Sequence, residues 1–211
     1  MQQILLVTSG GINSYFDVMM KGGVIMIPIV LLSVISFYIF IIKIITIRRD
    51  SKGAEGFSYR LLKVYNQDGR ENAVQYCEVA NTSMGRIFAN GLARLNRSNK
   101  EAEDMMESTA NVEIAHMEKD LNYLGVIAGV APLLGFIGTI AGVIKIFYGI
   151  ALADNISIGI IAGGLYQKMV SSGTGLIVGV IAYSFYHYLH IKVDKFAATL
   201  QEESLMFFKS I

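Results

Sequence analysis

Three stretches of the chain stay apolar for too long to be one face of an ordinary surface helix. The first lies at roughly 22–47. Its centre reads VIMIPIVLLSVISFYIFII, with no charged residue from Val24 to Ile42. The second and third are 121–152 and 156–191. A bilayer core of about 30 Å takes about 20 apolar residues in helix. Backbone facing lipid must satisfy its own hydrogen bonds, so each stretch predicts a membrane-spanning helix. Pro28 sits near the start of the first, where a missing amide donor does least harm. The competing reading is a buried helix of a large soluble protein. A chain of 211 residues that is 53% hydrophobic and carries three such runs speaks against it.

Elsewhere the apolar positions fall at helical spacing. Phe57, Leu61, Leu62 and Tyr65 make one such series; Ala73, Tyr76 and Cys77 make another after the break Asp68-Gly69. Ile87, Leu92 and Leu95 mark a third piece. Ser98-Asn99 opens a longer helix whose first turns hold Glu101, Glu103 and Asp104, where acids complement the helix dipole. Met105, Met106, Val112, Ala115 and Met117 continue it. No strong breaker stands between Asn99 and Gly125, so this helix is expected to run straight into the second span. The run 192–208, with Phe196, Leu200, Leu205 and Phe207 or Phe208 apolar, extends the third span in the same way. The two extensions could pack as an antiparallel pair.

The fold class that follows is all-α: a polytopic membrane protein with three transmembrane helices, the last two extending into a cytoplasmic helical domain. The expected segments are an outer N-terminal piece (1–21), a first span (22–47), a cytoplasmic helical domain (48–120), a second span (121–152), a third span (156–191) and a cytoplasmic C-terminal helix (192–211).

Charge sets the expected orientation. Lys43, Arg48, Arg49 and Lys52 follow the first span, and Lys192 and Lys195 follow the third. The segment before Lys21 holds only Asp17, and the link between spans two and three only Asp154. Lys and Arg stay on the cytoplasmic side, so the N-terminus and the turn 153–155 are expected outside, and 48–120 and the C-terminus inside. Segment 48–120 holds eleven Lys/Arg and twelve Asp/Glu, a solvated mixed-charge domain. The net charge of +1 leaves no basic footprint for nucleic acid. A single cysteine, Cys77, leaves no internal disulfide framework, and its plain reading is a small half-buried residue. Residues 1–22 do not read as a signal peptide: there is no basic n-region, and the apolar run ILLV is short.

The candidate chemistry lies in spans two and three. Gly135, Gly138 and Gly142 share a face near Thr139, and Gly125/Gly129 and Gly138/Gly142 are small-xxx-small pairs that let membrane helices approach closely. Pro132 frees a carbonyl and can kink the helix. In span three, Gln167, Ser171 and Thr174 fall on one face, with Lys168, Ser172, Gly175 and Gly179 on the next. So many polar groups in hydrocarbon need partners. Two readings stay open. The hydroxyls bond back to their own helix, and the glycines pack within one subunit; or the polar groups meet water, an ion or a further helix. Lys145 and Lys168 are expected to snorkel to the outer interface, with a charge at a pore mouth as the alternative. From Asn122 to Leu152 and from Asn155 to Val193 there is no Asp or Glu. A proton relay needs a group that titrates near physiological pH, which a hydroxyl does not. If protons cross, the carboxylate comes from another chain. His116, His187 and His190 form no metal site, no cofactor is implied, and nothing points to an enzyme.

The run LGVIAGVAPLLGFIGTIAG, from Leu124 to Gly142, resembles the APLLGLLGTVxG signature of the ExbB/TolQ/MotA proton-channel family. KMVSSGTGLIVGV, from Lys168 to Val180, resembles that family's last membrane helix, commonly EALxxTAxGLxVAIP. The resemblance implies a bacterial inner-membrane, ion-conducting stator subunit of a motor driven by the proton motive force. It implies a homo-oligomer, a pentamer in the family, around a dimer of a one-span ExbD/TolR-like partner that supplies a membrane aspartate. Through that partner a TonB- or TolA-like protein would be energised. The family's hydroxyl on span two maps onto Thr139 and its threonine on span three onto Ser172. Gln167 stands where the family has glutamate, Lys168 where it has a small residue, and the usual proline near 180–182 is absent. A stator for gliding or another envelope machine, and a non-conducting scaffold, are the alternatives.

Overall fold

Hydrophobic spacing and a few capping groups decide where the helices begin and end. The computed structural model describes residues 23–95, 98–152 and 158–211, with Ile160 and Gln167 described by their backbone alone. The N-terminal segment with Asp17 and the turn 153–155 lie outside the described residues. Among those described the chain is all α, in six helices: α1 Met26–Asp50, α2 Phe57–Ala80, α3 Ser83–Arg94, α4 Asn99–Glu118, α5 Leu121–Leu152 and α6 Ile158–Ser210.

The break at Gly69 is real: its φ of 81° is left-handed backbone that glycine adopts without penalty, and it interrupts α2. Ser98 caps α4 by accepting from Lys100 N at 3.2 Å, with Glu101 in the first turn. The expectation of an unbroken passage from α4 into the second span is corrected. α4 stops at Glu118, Lys119 turns to ψ 134°, Asp120 takes φ 71°, and α5 starts afresh at Leu121. Aspartate tolerates the left-handed region better than most residues. Here its carboxylate also lies 3.5 Å from the Lys43 ammonium, which ties the turn to α1. α6, by contrast, runs 53 residues without interruption, as the sequence suggests.

The chain divides into two compact units, 1–38 with 123–185 and 39–122 with 186–211. The first has a thin core of Ile29, Ile127, Ala131, Val178 and Ala182. Phe37 and Phe185 meet edge-on at 5.1 Å. Its outward surface is apolar: Leu31, Val34, Leu133, Phe136, Ile140 and Leu176 are all exposed. A buried helix of a soluble protein would have these side chains covered. Only 17% of the most apolar window of α1, and 28% of those of the later two candidates, is buried inside the fold. Patches of that size on a soluble monomer are rare. Among the described residues, three helices are long and apolar enough to cross a membrane.

The second unit is built as water-soluble helical domains are. Phe57, Leu61, Phe88, Leu92 and Phe207 are buried together with Met84 and Met117. The Phe88 ring lies 5.3 Å from Phe57 and 5.4 Å from Phe207. Arg86 on α3 grips Glu113 on α4 with its Nε and guanidinium nitrogen at 2.7 and 2.6 Å. The Arg86 hydrogen bonds hold the Glu113 carboxyl below its usual range. α4 and the C-terminal part of α6 face each other across a groove of about 430 Å³, lined by Met106, Ala110 and Ile114 on one side and Leu200, Ser204 and Phe208 on the other.

Candidate functional site

Small residues let α5 and α6 touch backbone to backbone. A Cβ placed on Gly175 would stand 2.6 Å from the Ala131 carbonyl oxygen and 3.0 Å from Gly135 Cα. One on Gly135 would stand 3.0 Å from the Ser172 oxygen. One on Gly179 would meet the Pro132 ring and, at 2.9 Å, the Ala128 carbonyl. Such approach is how helices associate in lipid, where apolar side chains gain nothing by leaving a hydrocarbon solvent. Gly129 and Gly173 have open space instead, so they are not part of this seam.

The polar groups thread along the same seam. The Thr139 hydroxyl lies 3.3 Å from its own-helix Gly135 carbonyl and also 3.3 Å from the Lys168 carbonyl of α6. Its one proton serves two acceptors, one on each helix. Thr174 donates back to Val170 at 2.8 Å. Ser171 Oγ is fully buried, 2.8 Å from where a Gly138 Cβ would be, and has no hydrogen-bond partner. A buried hydroxyl left so forfeits about 1–3 kcal/mol. Ser172 is half-buried, and its backbone rather than its hydroxyl makes the contact with Gly135. The Gln167 side chain lies outside what is described.

The two lysines part company. Lys145 is exposed. Lys168 is half-buried, and its aliphatic stem lies over Gly142, where any Cβ would collide with it. Sequence reasoning missed Ser36 on α1, buried and likewise without a partner; it lies seven residues after the core residue Ile29, on the same face. That spacing was the available signal.

The chemistry available here is narrow. The seam offers hydroxyls and carbonyls, and the membrane-length segments that form it carry no carboxylate. Among the described residues no group of three or more His, Cys, Asp or Glu could hold a metal ion. The rings of His187 and His190 flank Tyr186 at 5.2 and 4.8 Å. A neutral row of donors and acceptors can orient a water or a carboxyl group; it cannot itself carry a proton charge at neutral pH.

Comparison with known proteins gives the same direction. The MotA/TolQ/ExbB proton channel family matches residues 79–202, well over half of the chain. An ExbB homolog of Methanothermobacter thermautotrophicus is 28% identical over 186 residues, covering 86% of this chain and 65% of that one. A biopolymer transport protein ExbB-like 1 of Synechocystis is 27% identical, covering 90% and 78%. The biopolymer transport protein ExbB of Salmonella typhimurium is 26% identical over 85 residues, 40% of this chain and 35% of that one. The chain thus spans about two thirds of the first of these relatives and about a third of the last. The matched region takes in α3, α4, α5 and most of α6, the two seam helices among them. This chain belongs to the MotA/TolQ/ExbB proton channel family.

Proposed function

We propose that this protein is the proton-conducting stator subunit of an inner-membrane motor that uses the proton motive force to energise biopolymer transport or envelope maintenance. A homo-oligomer of it encloses the membrane helices of a one-span ExbD/TolR-like partner, whose aspartate takes up and releases the proton. The partner passes the work to a TonB- or TolA-like protein. The N-terminus faces the periplasm and the C-terminus the cytoplasm, as the Lys/Arg distribution favours. Thr139 and Ser172 hydrogen-bond the foreign carboxyl or the water that serves it. Ser171, Thr174 and Gln167 support them, and Lys145 and Lys168 set the charge at the outer mouth.

One observation carries this reading: the α5–α6 seam holds a row of hydroxyls and carbonyls, while neither span has an acid of its own. Family membership supports the ion, and the missing acid supports delivery in trans. Vesicles holding this protein together with its one-span partner should take up protons under an imposed potential, read with an entrapped pH dye. Thr139→Val should reduce that uptake at least about tenfold, because hydrogen bonds to a charged or titrating group contribute ~1.5–3 kcal/mol. Assembly should be retained. Vesicles with both chains that show no uptake, or uptake unchanged in Thr139→Val, would refute the reading.

A further inference from the structure

A second cavity, of about 480 Å³, lies wholly within the other unit, between the C-terminal end of α1 and the middle of α6. Its floor is Ile47, Leu189 and Phe196, each nearly fully buried. Its rim carries the cations Arg48, Lys192 and Lys195 and one carboxylate, Glu55. Lys195 is answered inside the protein, with its Nζ 3.3 Å from the Glu55 carboxylate. Among the described residues, no carboxylate pairs with Arg48 or Lys192; the Lys192 Nζ only overlies the Tyr188 ring at 5.5 Å. The wall also contains Ser51, whose hydroxyl oxygen is buried without a hydrogen-bond partner.

The helix end would itself repel an anion, since free carbonyls gather there. Here the turn that follows α1 takes up the carbonyls of Ile47, Arg49 and Ser51, which accept from Ser51, Lys52 and Ala54 at 2.9, 3.2 and 3.3 Å. With the Ile47 and Arg49 carbonyls of the last turn taken up, the three side-chain cations outnumber the one carboxylate at the rim. The cavity begins at Ile44, just past the uncharged run Val24–Ile42, whose length matches a bilayer core of about 30 Å.

We infer that this cavity binds an anionic phospholipid, with the phosphate held between Arg48 and Lys192, the Ser51 hydroxyl donating to the headgroup, and the start of an acyl chain lying on Ile47, Leu189 and Phe196. Two features select a lipid over a free anion: an apolar floor beneath the charges and the position just past a bilayer-length apolar run. Basic pockets between membrane helices on the cytoplasmic side take such headgroups. The inference rests on the membrane reading of α1 and α6 and not on proton conduction.

The test uses the full chain in non-ionic detergent, offered phosphatidylglycerol and phosphatidylcholine in equal amounts, with retained lipid counted by native mass spectrometry. Wild type should retain at least about five times more phosphatidylglycerol, the preference expected per juxtamembrane cation. Arg48→Gln with Lys192→Gln should bring the ratio below about two, a limit set by loss of both of those cations. Lys63→Gln, an exposed charge on α2, should leave it unchanged. Arg48→Gln alone, at an exposed position, should give an intermediate ratio and guards against a folding defect in the double variant. Equal retention of the two lipids by wild type overturns the inference, as does an undiminished ratio in the double variant. Displacement of the lipid by inorganic phosphate at tens of millimolar overturns it in favour of a free-ion site. Proton uptake is read separately, so lipid selectivity without uptake would count against the stator reading alone.

Discussion

Gly175→Ala adds one methyl group at the tightest backbone contact of the α5–α6 seam. The new Cβ would stand 2.6 Å from the Ala131 oxygen and 3.1 Å from the Gly135 amide nitrogen, where ordinary contact begins at 3.4 Å. Both obstacles are backbone, so no rotamer change relieves them; the helices must separate. Overpacking of this kind costs about 1–3 kcal/mol. Alanine also brings a helix-propensity gain of about 1 kcal/mol over glycine, which would mask part of the loss. Gly173→Ala, two residues earlier on the same helix, collects the same gain and meets nothing within 4 Å. Comparing the two variants cancels propensity and leaves packing. For a chain of this size that difference corresponds to a melting temperature about 2–12 °C lower for Gly175→Ala than for Gly173→Ala. The chain has 11 tyrosines and no tryptophan, so near-ultraviolet circular dichroism of tyrosine in mild detergent reads the tertiary packing directly. Gly142→Ala should fall between them, because only the flexible Lys168 stem must move aside. A Gly175→Ala protein melting at or above Gly173→Ala would refute the backbone-contact argument.

Two further outcomes follow from the second unit. Glu203 accepts from Gly56 N, Ser58 N and Ser58 Oγ at 2.6, 2.7 and 2.5 Å, capping α2 from a residue far along the chain. Glu203→Gln should therefore lower stability by about 1–3 kcal/mol at pH 7. Burial pushes this carboxyl up most strongly, but the Ser58 and Gly56 hydrogen bonds together with Arg60 outweigh it and hold the carboxyl below its ordinary range. A depressed carboxyl contributes stability that is complete above its unfolded pKa, about 4.3, and lost as pH falls through the folded value. The gap between wild type and Glu203→Gln should thus persist down to about that pH and close below it; a constant gap from neutral pH to pH 2 would exclude the charge as its source. Burial, with a smaller contribution from Glu78, pushes the Cys77 thiol up to about 12. Native protein at pH 8 should resist maleimide until denaturant is added; labelling within seconds without denaturant would contradict the buried placement.

The long elements were legible because their signals are local. An uncharged run, the cap at Ser98 and the break at Gly69 each act within a few residues, and the helices respect them. What escaped the sequence was set at a distance. The stop at Asp120 involves Lys43 on α1, and the cap on α2 comes from Glu203 on α6. No periodicity in either partner announces it. The seam was legible in half. Glycine spacing marks which faces approach, but not that Lys168 covers Gly142, or that Thr139 shares its proton with a carbonyl of the neighbouring helix. Those depend on the relative register of α5 and α6, which two separate runs of sequence do not encode visibly.

The two units differ in how they stick together, and the difference is physical evidence about their solvents. The second buries Phe57, Phe88, Phe207, Leu61 and Leu92, large side chains whose removal from water stabilises by about 1.5–3 kcal/mol each. The first brings Gly135, Gly175 and Gly179 to its closest contact and turns Phe136, Ile140, Ile144 and Leu176 outward. In water that choice would be backwards, since the residues with the most to gain from burial are the ones left out. In lipid it is the expected one: a phenylalanine gains nothing by leaving hydrocarbon, whereas close backbone approach gains dispersion contacts. Such a seam has a corollary for its hydroxyls. A buried polar group that its own chain leaves unpaired, as Ser171 Oγ in the seam and Ser36 Oγ on α1 are, gains more from a hydrogen bond than an exposed one would. The first unit therefore makes its closest contacts through its smallest residues, as a helix pair in lipid does.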